Sequence, residues 1–402
     1  MNFLSLHPTL RIRIGVGFVN RLLDSMITSF MAIYLAFRFG IAVAGVLMFA
    51  VVSLGVIGML VGGHISDTRG RRNTLLLAEF GGFASFAVMA VADASNVTLL
   101  VYAGYLVNKF AASLALPAND AMIVDVTTPE DRKQVYTMNY WATNLALAIG
   151  GLLGGFLYNG HFTLLLGGAA ACTAGVFAVT YFLIAESKPD GDPAAPRASV
   201  LREFSAGYRL VLRDGMFIRF MVAATLIMAI EFQLVNYVGV RLAHDMPNGV
   251  EILGVLRAEN TALVVVLALF SHLLFRRLSD RFRLFAGVGL FTAGYMVLAV
   301  SNTGWVLLIA GAVFTVGELM NVPVKQAMLA NMVPDQARTR YMAVYNLNIR
   351  VAQMLAAGCI TLGALVPPWG IALLYGVAGL VVIAQFRVLL NRTPVTPEPV
   401  PA

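Results

Sequence analysis

The feature that most constrains this chain is the recurrence of apolar runs of about 20 residues along nearly its whole length. A helix rises 1.5 Å per residue, so each run is long enough to cross the hydrocarbon core of a bilayer. Counted along the chain they predict twelve spans, at about 14–37, 42–65, 73–93, 98–122, 134–158, 162–184, 216–241, 250–275, 284–301, 304–328, 341–366 and 370–390. Composition agrees: charged residues make up 12% of the 402, about half the share usual in soluble proteins. The expected class is an all-α membrane protein.

The breaks between runs alternate in charge. One set holds Arg11 and Arg13; Arg69, Arg71 and Arg72; Arg132 and Lys133; Lys188, Arg197, Arg202, Arg209 and Arg213; Arg276, Arg277, Arg281 and Arg283; Arg338 and Arg340; Arg387 and Arg392. The opposite set holds Arg38 and Arg241. Positive residues stay on the cytoplasmic side, so the chain is expected in the cytoplasmic (inner) membrane with both termini inside. The net charge of +7 is therefore a topology signal, and no nucleic-acid partner is expected. The first run follows Arg11 and Arg13, exceeds a signal-peptide core in length and carries Arg21 and Asp24 in its middle, so it reads as a span. Cys172 and Cys359 both fall within runs and read as packing residues, with no disulfide and no metal site expected.

The longest break divides the chain into an N-terminal six-helix half (1–185), a linker with an amphipathic helix near 199–213 (186–215), a C-terminal six-helix half (216–392) and a Pro-rich tail (393–402) expected to be disordered. A weak repeat supports two parallel halves with a substrate path at their interface. PANDAMIVDVTTPEDR (117–132) lies over PVKQAMLANMVPDQAR (323–338) at an offset of 206, matching Pro117 to Pro323, Ala121-Met122 to Ala327-Met328 and Arg132 to Arg338. No break is long enough for a soluble catalytic domain, and no phosphate-binding glycine loop occurs, so neither an enzyme nor an ATP-driven pump is expected, nor any cofactor.

The first basic loop reads VGGHISDTRGRRNTLL (61–76), with Gly63, Asp67, Gly70, Arg71 and Arg72 in fixed spacing. Asp67 sits at the C-terminal end of one helix and Arg71 and Arg72 at the N-terminal end of the next, each opposing a helix dipole by about 0.3–1 kcal/mol. A stop signal for the membrane explains the arginines but not Asp67 or the glycines. A better account pairs Asp67 with an arginine, or sets it against another helix's N-terminus, as a latch that forms in one conformation and breaks in another.

This loop resembles the signature of the major facilitator superfamily, which that family carries between helices 2 and 3. The resemblance extends over the whole chain in span count, inside termini and central linker, and implies the twelve-helix fold in two halves. Further matches point to the drug:proton antiporter branch. Lys109, in GYLVNKFAAS, stands where that branch usually has an arginine linked to proton transfer. AIGGLLGG (148–155) is similar to its helix 5 motif, with Gly151 in place of the usual proline. PANDAMIVDVTTPEDR and GELMNVP (317–323) resemble segments of a lactococcal multidrug antiporter.

Ionisable residues inside spans cost about 2.5–3.5 kcal/mol each on insertion scales, which makes them the leading site candidates. Asp24 and Arg21 lie one turn apart in span 1, either as a structural ion pair or as part of the coupling site. Glu231 in span 7 and Glu318 in span 10 have no basic residue close in sequence. Desolvation penalises charge on such a carboxyl, which suits a group that loads and releases protons. The resemblance implies proton coupling and cation binding at these two acids, and makes Asp125, at the end of span 4, part of a relay with Lys109; a capping role is the alternative for Asp125. The helix 5 acid of that antiporter is missing here, since 134–158 holds none. Asp120, Glu79, Arg257, Glu259 and Arg350 rank lower.

The expected function is a proton-coupled secondary transporter that exports lipophilic, cationic compounds by alternating access, acting as a monomer among membrane lipids. A proton-coupled transporter of one metabolite and an amphipathic lipid translocase are the alternatives within transport. From another class, a transporter-like sensor would need a cytoplasmic signalling domain, for which the chain has no room.

Overall fold

The computed structural model describes residues 8–127, 129–187, 211–334 and 338–392. All of the regular structure among them is helical. The helices are α1 (Pro8–Phe39), α2 (Ile41–Arg69), α3 (Arg71–Ala94), α4 (Thr98–Asp125), α5 (Pro129–Leu183), α6 (Gly215–Glu231), α7 (Tyr237–Asp245), α8 (Gly249–Phe275), α9 (Asp280–Val300), α10 (Gly304–Met332), α11 (Arg338–Gly363) and α12 (Pro368–Arg392). Among the described residues, nine helical stretches are long and apolar enough to cross a membrane. One of them, Val135–Leu183, spans 49 residues, and its helical geometry breaks at Asn159–His161, where Gly160 takes φ 82°. The chain is thus an all-helical, multi-pass membrane protein. Most of the expected amphipathic helix at 199–213, and the tail at 393–402, lie outside the described residues.

The chain forms two compact units. Unit 1 joins the N-terminal region to Gly239–Thr261, so α7 and the first half of α8 group with it; unit 2 holds the rest. Within unit 1, α1 packs on α5, α4 on both α2 and α3, and α3 on α5. Within unit 2, α9 packs on α10 and α12, and α6 on α11 and α12.

Local chemistry sets the element ends. Asp214 caps α6, its Oδ1 accepting from the N–H groups of Met216 (3.1 Å) and Phe217 (3.0 Å). Its Oδ2 accepts from the Tyr341 hydroxyl at 2.9 Å, which ties the start of α6 to α11. Gly70 separates α2 from α3 with φ 97° and ψ 160°, a conformation essentially reserved for glycine. Helix approach is closest where a side chain is missing. A Cβ on Gly62 would strike the Leu114 backbone of α4, and one on Gly317 would lie 2.6 Å from the Gly287 carbonyl oxygen of α9. Such contacts between small residues hold helices together in lipid.

Candidate functional site

The sequence candidates fall into three groups, and the first lies inside unit 1. Asp24 projects from α1 and Lys109 from α4, and the Lys109 ammonium donates to Asp24 Oδ1 and to the Thr28 hydroxyl. Thr28, one turn beyond Asp24, donates to the same Oδ1 at 3.0 Å. The ammonium also lies 5.4 Å from the centre of the buried Tyr105 ring. Arg21, the expected partner of Asp24, is exposed and acts on it through its charge alone; Lys109 holds the direct contact. A cation and an acid 85 residues apart thus meet in mid-span, and the pair removes most of the cost of either charge in lipid.

The second group is the loop between α2 and α3. Asp67 pairs with Arg71 at 3.0 Å across the Gly70 turn, and Arg71 Nε lies 3.5 Å from Asp125 Oδ2 at the end of α4. Asp125 also accepts from the Ser187 hydroxyl at 3.1 Å. The structure therefore groups Asp125 with the loop arginines. Lys109 is sixteen residues away on α4, about 24 Å along the axis. The acid that faces the α3 N-terminus is Glu186, which the sequence reading left in the linker. Its two oxygens accept from the backbone N–H of Arg71 (2.9 Å) and Arg72 (3.1 Å). A carboxylate there answers the dipole that the two arginines oppose. Arg72 folds back to the Tyr181 carbonyl at 2.6 Å and lies 5.3 Å from that ring. Ile184 is buried against Leu75, Ala118 and Met122, which roots the end of α5 beneath the loop. At Gly63 a Cβ would meet only Pro117 at 3.9 Å, so the tight spot is its neighbour Gly62.

The third group lies in unit 2. Glu231 closes α6, where the chain tightens into a 3-10 turn at Phe232–Leu234. Glu318 and Lys325 sit two turns apart on α10, seven residues being almost two full helical turns. Lys325 is 6% exposed, and its charge acts on both Glu231 and Glu318. The two acids are therefore not isolated from cations, contrary to the expectation from sequence; a single buried lysine serves both. Sequence reasoning passed over it because a residue two turns along α10 lies beyond the i, i+3 and i, i+4 neighbours that pair directly on a helix. The signal was present at the offset of 206, which sets Lys325 opposite Asn119, two residues past matched prolines. Buried aromatic rings pack at the end of α6: the Tyr295 hydroxyl donates to the Glu231 backbone carbonyl oxygen at 3.0 Å, and the Tyr295 and Phe314 rings meet at a tilt with centres 4.8 Å apart.

Gly151, the departure from the helix 5 motif, also has a local cause. Its missing side chain leaves room for Arg257, whose Nε would lie 3.0 Å from a Cβ there and whose guanidinium donates to Ser25 of α1 at 3.2 Å. A proline ring at this position would overlap that arginine. Cys172 and Cys359 are free thiols.

Long apolar helices with opposite charges paired inside them define a multi-pass membrane protein with a polar site within its spans. The chain belongs to the Major Facilitator Superfamily, whose profile matches residues 14–304 and 260–402, and is a transporter, not an enzyme. It is 26% identical over 355 residues to a "Na(+), Li(+), K(+)/H(+) antiporter" of Planococcus maritimus, covering 82% of this chain and 84% of that one. It is 24% identical to the "Multidrug resistance protein MdtH" of Yersinia pestis (strain Pestoides F), covering 82% of this chain and 81% of that one. Among solved structures, an auto-inhibited peptide transporter of the POT family superposes with a TM-score of 0.73 over 98% of this chain and 99% of that one, at 15% identity. That likeness is one of fold.

Proposed function

We propose that this chain is a twelve-span, proton-coupled antiporter that exports lipophilic cations by alternating access, from a cytoplasmic membrane in which both termini face the cytosol. The observation that carries the reading is the unit 2 group of two acids and one lysine. With all three ionised, Glu231, Glu318 and Lys325 sum to one net negative charge, and lipid makes such a charge costly. A proton cancels it, and so does a cationic substrate. Because either one suffices, entry of the cation drives the proton out, and the two ligands exchange. The half-buried Tyr345 ring, near enough to feel the charge of Glu231, favours a flat organic cation through cation–π attraction. Asp24 with Arg21 and Lys109 forms the second candidate coupling site, and Asp67, Arg71 and Asp125 the latch that reports conformation. The likeness to a multidrug resistance protein supports membership of the drug:proton antiporter branch.

A second reading is exchange of alkali cations for protons, favoured by the relative of that name. Inverted vesicles separate the two. With an imposed pH gradient, ethidium should accumulate inside and dissipate the gradient. Sodium, lithium or potassium dissipating it while ethidium does not would establish the second reading. A gradient that none of them disturbs would overturn proton antiport altogether.

A further inference from the structure

A second set of ionisable groups, Glu79 and Arg13 of them buried, lies in unit 1, and the exchange scheme leaves it unused. Glu79 is on α3, eight residues from its start, or about 12 Å along the axis. It is 7% exposed. Its Oε1 accepts from the Thr180 hydroxyl of α5 at 2.9 Å, while Oε2 is buried with no hydrogen-bond partner. Arg13 of α1 is 9% exposed. It donates to Asn119 Oδ1 and Met122 Sδ, both on α4, and its charge acts on Glu79 and on Asp120. Asp120 also feels Arg21, whose charge reaches Asp24. Acid and base thus alternate through Asp24, Arg21, Asp120, Arg13 and Glu79.

The depths form a ladder. Asp24 is sixteen residues into α1, about 24 Å, whereas Arg13 lies about 8 Å from the start of α1, Asp120 about 8 Å from the end of α4 and Glu79 about 12 Å from the start of α3. Were Glu79 only a counter-ion, Arg13 would contact it. Instead Arg13 directs its donors at Asn119 and Met122, and no ion pair joins it to Glu79 among the described residues. A carboxylate with one bare oxygen in an apolar shell is the expensive form of this group, and a proton on Oε2 removes the charge. A nearby guanidinium makes the loss of that proton reversible.

We propose that Glu79 is a proton-binding carboxyl, held by Thr180 and facing the charge of Arg13, between the spans and the α2–α3 loop. In the binding step a hydronium ion gives a proton to the bare Oε2 of Glu79: one O–H bond of the hydronium breaks, one forms on the carboxyl, and water leaves, while Arg13 remains a cation. The groups facing Glu79 are Arg13 from α1 and Thr180 from α5, with Asp120 of α4 linked through Arg13. The place of Glu79 in transport rests on the antiport reading; its proton binding does not.

Two measurements on the full-length protein test this. Infrared difference spectra between acidic and alkaline buffer should contain a protonated-carboxyl carbonyl band that disappears in Glu79→Gln, shifts in Glu79→Asp and moves in Thr180→Val, where the hydrogen bond is gone. In inverted vesicles, Glu79→Gln should slow ethidium–proton exchange and flatten its dependence on pH, and Glu79→Asp should restore both. A Glu79→Gln spectrum identical to wild type overturns the proposal. So does an unchanged pH profile of exchange in that variant. If wild-type vesicles show no exchange at all, the antiport reading fails, and the infrared band still decides whether Glu79 binds a proton.

Discussion

Gly70 and Glu186 are far apart in the chain and depend on each other. A Cβ on Gly70 would fall onto the Glu186 carboxylate, and the backbone at φ 97° would be strained for any L side chain. Gly70→Ala should lower stability by about 1–3 kcal/mol, read as a reduced thermal midpoint of the purified protein. Glu186→Gln keeps an acceptor oxygen but loses the charge at the α3 dipole, and should lower it by only about 0.3–1 kcal/mol. Equal losses would mean that the turn, not the carboxylate, sets the geometry. Asp67 is different. Its side chain is 73% exposed, and an exposed pair contributes about 0–1 kcal/mol, so its value cannot lie in stability. Asp67→Asn should leave expression and midpoint intact while slowing transport; wild-type rates would remove it from the latch. The glycine turn was legible from spacing, and an arginine was one of the two partners that the helix dipoles offered Asp67. Glu186 was not, because a carboxylate in a string of Pro, Asp and Ala looks like linker until the fold carries it back to α3.

At the scale of elements, each unit carries the same device in a different spelling. Unit 1 sets an acid on its first helix against a lysine on its fourth, Asp24 against Lys109. Unit 2 sets Glu231 on α6 against Lys325 on α10, with Glu318 added on the same helix. Pro117 in α4 and Pro323 in α10 sit inside their helices, where each removes one backbone hydrogen bond. That shared proline made the repeat readable, since it fixes register. The charge pairs were hidden because helical periodicity reports which face a residue occupies but not which helix it meets. If the lysines balance the acids, Lys109→Met should abolish proton-coupled exchange and Lys325→Met should change its proton count, while Lys→Arg at either place retains wild-type behaviour in part. Removing one partner leaves the other as a bare charge, at about 2.5–3.5 kcal/mol on insertion scales, so both Met variants should also unfold at lower temperature. Combining Lys325→Met with Glu318→Gln should recover most of that stability, and a double variant no more stable than the single one would separate Lys325 from Glu318. Gly151 belongs to this scale too. It reads as a defect against the family motif until Arg257 is seen to occupy the missing volume.

At the scale of the whole molecule, the charge sum in unit 2 sets the stoichiometry of exchange. From sequence, two isolated acids imply that a cation displaces a proton from each. Lys325 alters the count, because two carboxylates beside one ammonium need only one further positive charge for neutrality. Adding ethidium to the detergent-purified protein in weakly buffered solution should therefore release about one proton per bound cation from this group. Glu231→Gln and Glu318→Gln each leave one carboxylate against Lys325, already neutral, so each single variant should bind ethidium weakly and release none. The double variant carries the lysine charge alone and should repel the dye. Lys325→Gln leaves two carboxylates without their ammonium, so both should hold protons at rest. That variant should release about one proton to ethidium and about two to a dicationic dye, where the wild type has only one to give. The series is graded in a way that no single acid could produce. A double Gln variant that still releases as many protons as wild type would move the coupling site out of unit 2, to Asp24 and the ladder of charges behind it.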